Sequence, residues 1–188
     1  MLSDKLKEAT KTNHQQLEKV LVGKLKAIRS AQGYADVLKL FYGYFGGLEL
    51  LINTTIVADI LPDNAERRKT QSIANDLQFL GSEIPTKATV DELPALNTAL
   101  QALGALYVIE GSTLGGKIIS KMMQQQLGLE AGAMTFFAGY GDRTDQMWET
   151  FKNALDHQAQ NPEQEAVVIA AANETFVKFG EWFENAGV

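Results

Sequence analysis

Helical periodicity is the sequence feature that most constrains the fold of this chain. Apolar side chains recur at three- and four-residue spacing along nearly the whole sequence, as on one face of an α-helix. No segment shows a convincing two-residue alternation bounded by turns, which a half-buried strand would require. The sequence therefore predicts an all-α fold, and its 188 residues are expected to form a single domain over 1–188.

The predicted helices begin and end at familiar signals. Ser3, Ser30 and Thr144 can each cap the N-terminus of a helix. Gly128 can end a long helix, and Asn161-Pro162 is a start signal for the last one, with the proline at its first position. The predicted helices cover residues 3–21, 31–58, 65–80, 96–127, 144–157 and 162–184, with loops at 81–94 and 129–141.

The chain has no cysteine and only two histidines, His14 and His157. Disulfides, thiolate zinc sites, iron–sulfur clusters and covalent haem attachment through Cys-x-x-Cys-His all need cysteine and are excluded. A zinc site built from several histidines of one chain is excluded as well. His157 precedes a polar loop, so we expect it to be exposed and without a catalytic role.

Charge is distributed unevenly. The net charge of −6 and the pI of about 5.0 argue against a general nucleic-acid binder. Residues 1–29 nevertheless carry seven basic and three acidic side chains, against ten basic and twenty acidic ones in the remainder. Two interpretations stay open, a solvated helix face or a local anion site.

The sequence predicts a cytoplasmic protein. The N-terminal segment has no apolar core behind a basic start, as a secretory signal would. Apolar stretches are interrupted by Gly, Glu, Ser and Lys before reaching 18 residues, so we expect no membrane insertion. The absence of cysteine is consistent with this location.

Three glycines fall within six residues of the long helix, over 111–116. They cost a helix interior roughly 2–3 kcal/mol relative to alanine, so a structural reason is expected. The reason could be helix bending, close approach of a neighbouring helix, or close approach of a flat ligand. The glycine spacing does not match a dinucleotide or P-loop motif.

His14 lies in the first predicted helix with Lys7 two turns before it and Glu18 one turn after it, so all three point roughly the same way. A carboxylate at this spacing can accept the second N–H of the imidazole and so fix its tautomer. A lysine on the same face can pair with an anionic ligand. A partly exposed packing histidine is the simpler alternative.

Four segments, taken in chain order, resemble the haem oxygenase family. Residues 6–18 resemble its proximal helix, 41–49 its second conserved helix, 106–116 its distal helix in the bacterial, biliverdin-producing form, and 136–152 the stretch that follows. Any one match could be accidental, whereas four in order are specific. The resemblance implies a single helical domain with a bent, glycine-rich distal helix.

The resemblance also implies roles on the proximal side of a haem site. His14 corresponds to the proximal axial ligand of the haem iron, and Glu18 would orient its ring. Lys7 and Lys152 match positions at which family members hold haem propionates.

On the distal side, the resemblance assigns Gly111 and Gly115 to catalysis and haem binding, because they would let the helix backbone lie against the haem and leave room for O₂. Ser112 stands where mammalian enzymes carry an aspartate that organises water, and Val108 stands where they carry an arginine. Ser112 and backbone carbonyls are therefore expected to hold the distal waters.

The activity implied by the resemblance is oxidative opening of haem to biliverdin, CO and ferrous iron. It uses O₂ and electrons from a ferredoxin or an NAD(P)H-dependent reductase. A bilin-using photoreceptor or a biliverdin reductase would take the product. Two alternatives stay open, a haem-binding or haem-delivery protein of the same fold with little turnover, and a helical partner-binding module without haem.

Overall fold

A computed structural model describes residues 1–55 and 60–186 and shows no strand within them. Its α-helices confirm the predicted all-α class. They are α1 (Leu2–Ala27), α2 (Ala31–Thr55), α3 (Gln71–Phe79), α4 (Ala99–Leu127), α5 (Thr135–Ala138), α6 (Thr144–Gln158) and α7 (Pro162–Asn185). None of the helices in this part of the chain is both long and apolar enough to cross a bilayer.

Several predicted helix boundaries are confirmed by cap geometry. The hydroxyl of Ser30 accepts a hydrogen bond from the N–H of Gly33 at 3.1 Å. The side chain of Asn161 caps α7 by accepting from the N–H of Gln164 at 2.9 Å. Gly128 ends α4 in the left-handed conformation at φ 65°. Such caps can be predicted from the sequence because each acts on backbone groups only a few residues away.

The predicted N-terminal cap of α1 is wrong. The helix begins at Leu2 and continues past the predicted end to Ala27. Ser3 is buried, and its backbone N–H and hydroxyl donate to the carboxylate of Asp156 at 2.8 and 2.9 Å. The serine therefore joins α1 to α6 rather than capping its own helix.

The other long helices differ less from prediction. Helix α4 begins at Ala99 rather than at residue 96, behind a capping box at Thr98. Thr144 is the first residue of α6 rather than its N-cap. The predicted end of the second helix at 56–58 lies outside the described residues, and the predicted loop over 129–141 contains the short helix α5.

Helix α3 begins six residues later than predicted. A 3₁₀ turn covers Asn64–Glu66, and the backbone of Arg67 is extended at φ −69° and ψ 145°. Extended backbone here turns the side chain of Arg67 inward, where 1% of it is exposed. The local helix signal failed because this guanidinium is buried against paired partners, including ones far away in the sequence.

Arg67 forms a buried ion pair with Glu110 of α4. Its Nη1 donates to Glu110 at 2.7 Å, and 1% of the Glu110 side chain is exposed. Arg67 also donates to the carboxylate of Asp63 at 2.6 Å and to the carbonyl of Met147 at 3.0 Å. The hydroxyl of Tyr140 donates to Glu110 at 2.9 Å. Both buried charges thus have several partners from separate parts of the chain.

Aromatic rings of α2, α5 and α7 fill the centre of the core. Phe41 lies within 5.5 Å, centroid to centroid, of Phe137, Phe179 and Phe183. Tyr44 stacks on Phe179 at 4.6 Å, with the ring planes 6° apart. Packing of these rings holds α7 against α2.

Two α4 glycines provide close packing. A Cβ at Gly104 would lie 2.5 Å from the carbonyl oxygen of Val168 in α7, and a Cβ at Gly116 would lie 2.1 Å from the carbonyl oxygen of Phe137. Neighbouring backbone therefore excludes any side chain at these positions. Helix packing, one of the three predicted reasons for the glycine-rich segment, accounts for Gly116.

We expect Gly116→Ala to lower the free energy of unfolding by about 1–3 kcal/mol, because the added methyl group meets a backbone oxygen that cannot move freely. Gly115→Ala is the matched control. It has nothing within 4 Å of the added Cβ and should raise the free energy of unfolding by about 0.5–1 kcal/mol through helix propensity. Urea unfolding of the haem-free proteins measures both, and equal effects would contradict the packing assignment.

Glu110→Gln should lower the free energy of unfolding by about 3 kcal/mol, because it leaves the Arg67 charge buried with one carboxylate fewer. Glu66→Gln is the control, since it breaks an exposed pair with Arg143 whose side chains are 65% and 60% exposed. Its effect should stay below about 1 kcal/mol. The ion pair would lose its structural role if both variants unfolded at the same urea concentration.

Candidate haem site

The imidazole of His14 is exposed on α1 and makes no hydrogen bond within the described residues. It makes an edge-to-face contact with the ring of Phe176 in α7, at 5.6 Å between centroids and with the planes 79° apart. A ring nitrogen can coordinate a metal only where it is not already engaged in a hydrogen bond within the protein. His14 thus has a nitrogen free to coordinate an incoming metal.

Lys7 and Glu18 lie on α1 with His14, and both are exposed. Neither forms an ion pair within the described residues, and Glu18 does not hydrogen-bond to His14 there. The structure thus places the three groups along one helix without linking them. Their side chains are free to rearrange around a bound molecule.

Gly111 and Gly115 of α4 differ from the two packing glycines. A Cβ at Gly115 would have nothing within 4 Å, and one at Gly111 would meet the ring of Trp148 at an ordinary 3.8 Å. Protein packing therefore does not demand glycine at either position. These residues instead leave a strip of α4 backbone open to close approach by a flat molecule.

Tyr107 links the two halves of the site. It lies one turn before Gly111 on α4 and close to the side chain of Thr10, one turn before His14 on α1. Burial raises the pKa of Tyr107, and the nearby Thr10 side chain opposes that rise. The two helices therefore approach each other one turn ahead of the histidine and the open glycine strip.

Ser112 is half-buried and already has partners. Its hydroxyl donates to the carbonyl of Ile109 at 2.6 Å and accepts from Nη2 of Arg68 at 2.6 Å. Since a hydroxyl oxygen carries two lone pairs, one acceptor position remains for a water molecule. The structure therefore shows a positively charged neighbour, Arg68, at the serine that the sequence predicted for the distal side.

Arg68 was missed by sequence reasoning. Its guanidinium lies 3.9 Å from the centroid of the Phe136 ring and also donates to the carbonyls of Phe136 and Ile109. Burial lowers the pKa of Arg68 to about 10, so it stays charged at neutral pH. In the sequence it stands among charged residues and is typical of a surface run. The available signal was indirect, since Glu110, an acid within an apolar stretch, needs a buried partner. Arg67 is that partner, and Arg68 follows it directly.

Lys152 of α6 is partly buried and pairs with Glu149 at 2.7 Å. This pair lies one turn along from Trp148, which also borders Gly111. His157 is exposed, as predicted, with its Nδ1 2.6 Å from the carbonyl oxygen of Asn153.

Comparison with known proteins identifies the family of this chain. The family model described as Heme oxygenase matches residues 1–185. A heme oxygenase of Xanthomonas campestris is 30% identical over 149 residues, covering 79% of this chain and 87% of that protein. The heme oxygenase PigA of Pseudomonas aeruginosa is 30% identical over 183 residues, covering 97% and 91%.

Solved structures show the same fold. A heme oxygenase of Neisseria meningitidis, solved with NO and CO bound, has a TM-score of 0.81 at 22% identity, covering 99% of this chain and 92% of that one. Heme oxygenase-1 of Synechocystis in complex with heme has a TM-score of 0.78 at 22% identity, covering 98% and 91%. The resemblance carried by the four sequence segments is thus confirmed, and the chain belongs to the haem oxygenase family of haem-degrading oxidoreductases.

Proposed function

We propose that this chain opens haem to biliverdin, CO and ferrous iron between α1 and α4. One observation carries the assignment to these helices. An imidazole with no hydrogen bond among the described residues stands on α1, and α4 offers a strip of glycine backbone next to open space. His14 is the axial ligand in this proposal, and Gly111 and Gly115 form the distal wall.

The residues fit haem chemically. His14 would hold the iron through one imidazole, which is the kind of ligand set that oxygen-activating haem proteins use. Bound haem supplies the iron that activates O₂ and is also the substrate that is opened. The glycine strip fits because an added Cβ at Gly115 would project into the space that a flat ring needs.

Lys7 and Lys152 are proposed to hold the propionates. Lys7 has no ion-pair partner in the described part of the chain, so its ammonium can turn to a carboxylate without breaking a bond. Lys152 would exchange its pair with Glu149 for a propionate. Glu18, one turn beyond His14, would orient the imidazole by accepting its N–H, and rotamer changes of such exposed side chains are fast.

Ser112 is the proposed distal proton-handling residue. Its hydroxyl proton is held toward the carbonyl of Ile109, and Arg68 occupies one of its lone pairs. The remaining lone pair would accept a hydrogen bond from an ordered water. Arg68 would act through Ser112, because its positive charge fixes the direction of the serine dipole.

The partners follow from the same proposal. Electrons would come from a ferredoxin or an NAD(P)H-dependent reductase, and biliverdin would pass to a bilin-using photoreceptor or a biliverdin reductase. The excess of lysine in residues 1–29 supports an acidic donor, since opposite charges steer association. The absence of cysteine supports a cytoplasmic location.

Replacement of each histidine tests the proposal. We expect His14→Ala to weaken haemin binding at least ten-fold and to abolish turnover with ascorbate. Losing even a residue that hydrogen-bonds to a metal ligand lowers metal affinity or activity by about 10–100-fold, so losing the ligand itself should have at least this effect. His157→Ala is the matched control and should bind and degrade haem as the wild type does. Loss of the Soret band and growth of bilin absorption are measured together.

Two outcomes would contradict the proposal separately. Intact haem after the assay of the wild type would leave a haem-binding or haem-delivery protein, which family membership does not favour. Identical haemin spectra for the wild type and His14→Ala would remove the axial-ligand assignment.

Gly115→Leu should weaken haemin binding by about ten-fold or more, because the side chain fills the space left for the ring and overpacking costs about 1–3 kcal/mol. Gly180→Leu on α7 is the control, since its Cβ also meets nothing within 4 Å but lies on another helix. Both haem-free variants should unfold at or above the urea midpoint of the wild type. Unchanged affinity in Gly115→Leu would place haem elsewhere.

A further inference from the structure

Helix α7 contacts α1 at the turn that carries His14. Asn13 donates from its Nδ2 to Oδ1 of Asn173 at 2.7 Å, and Asn173 donates to the carbonyl of Ile169 in its own helix at 3.2 Å. The side-chain amide of Asn173 is thus held by its own helix, and its oxygen accepts the hydrogen bond from Asn13. The backbone beside the histidine is tied to α7 by this hydrogen bond.

Phe176 extends the contact to the imidazole itself. It lies three residues after Asn173 on the same side of α7, and 6% of it is exposed. Its ring meets His14 nearly perpendicularly, at 5.6 Å and 79°. Asn173 and Phe176 therefore touch two consecutive residues, Asn13 and His14.

The turn of α7 that carries Phe176 is itself held by α2. The hydroxyl of Tyr44 in α2 donates to the carbonyl of Thr175 at 2.8 Å. The Tyr44 ring also stacks on Phe179 at 4.6 Å. The turn that carries Phe176 is therefore held to the aromatic core and provides a rigid surface for His14.

The imidazole needs such a surface because it has little else to hold it. Rotation about the bond between Cβ and the ring of a histidine is broad and roughly two-fold. The His14 ring is exposed and has no hydrogen bond among the described residues, so rotation costs it little. Edge-to-face packing against an immobile ring favours one orientation.

We propose that Phe176 and Asn173 are positioning residues that set the plane of the His14 imidazole, Phe176 by packing on the ring and Asn173 by anchoring the turn. This inference rests on the proposed role of His14 as axial ligand. The direction of an axial imidazole plane governs its overlap with the iron d orbitals. Helix α7 would thereby influence the bonding between His14 and the iron without contacting the iron itself.

The test compares Phe176→Leu and Asn173→Ala with Phe183→Leu. The control removes an equally buried ring two turns further along α7, which packs on Phe41 and Phe179 rather than on His14. Resonance Raman spectra of the ferrous haem complexes report the iron–histidine stretch. In the haem-free proteins, proton NMR reports the His14 ring resonances, with His157 as an internal reference.

We expect both α7 variants to shift or broaden the iron–histidine stretch. Haemin binding should weaken about five-fold in Phe176→Leu, equivalent to about 1 kcal/mol. The His14 proton resonances of haem-free Phe176→Leu should move because the ring current of Phe176 is lost. Phe183→Leu should change stability while leaving the stretch and the His14 resonances as in the wild type.

An unchanged iron–histidine stretch in Phe176→Leu, with the band present in the wild type, would overturn this inference and leave the proposed function standing. The same shift in Phe183→Leu would also overturn it, because any core defect would then suffice. A wild-type complex without a His14-dependent stretch would overturn the axial-ligand assignment and this inference together.

Discussion

The carboxylate of Glu110, buried in the middle of α4, imposes much of the arrangement around it. A buried charge is costly unless it is paired and hydrogen-bonded. Here the partners are Arg67, which precedes α3, and Tyr140, which precedes α6. Satisfying Glu110 therefore holds two connecting segments against the central helix, and it explains why the chain is not helical at Arg67.

The same requirement determines the surroundings of the proposed distal wall. Glu110 is followed directly by Gly111 and Ser112, so the groups that anchor the carboxylate also anchor the backbone of the site. Arg68, next to the ion-paired arginine, reaches Ser112 at 2.6 Å. The open glycine strip is thus carried by a segment whose own position is tightly held. Such a rigid support suits a surface that must keep its shape beside a flat molecule.

The α1 side is built differently. Its candidate residues, His14, Lys7 and Glu18, are exposed and unpaired among the described residues. Helix α7 contacts α1 beside them, through Asn173 at Asn13 and Phe176 at His14. One wall is therefore preorganised by buried charge and the other by packing against an aromatic core. Free side chains on the second wall can adjust when a ligand arrives, whereas the first can change little.

The sequence by itself determined the helical class, the spans of most helices and the set of candidate residues on α1 and α4. These depend on local spacing, and caps such as Ser30 and Asn161 act within three residues. The family was also evident from four ordered segments. The roles of the candidate residues remain predictions, although the open space at Gly115 is what a ligand-facing glycine needs.

Tertiary structure decided what depends on distant partners. In the sequence Ser3 resembles a helix cap, but in the structure its hydroxyl donates to Asp156, which is 153 residues away. Arg67 and Arg68 resemble surface charges until Glu110 and Ser112, 43 and 44 residues away, receive them. The glycines of α4 are alike in sequence, yet a carbonyl of another segment excludes a side chain at Gly116 and nothing does at Gly115. Burial and pairing across such separations are set by packing, which local sequence does not encode.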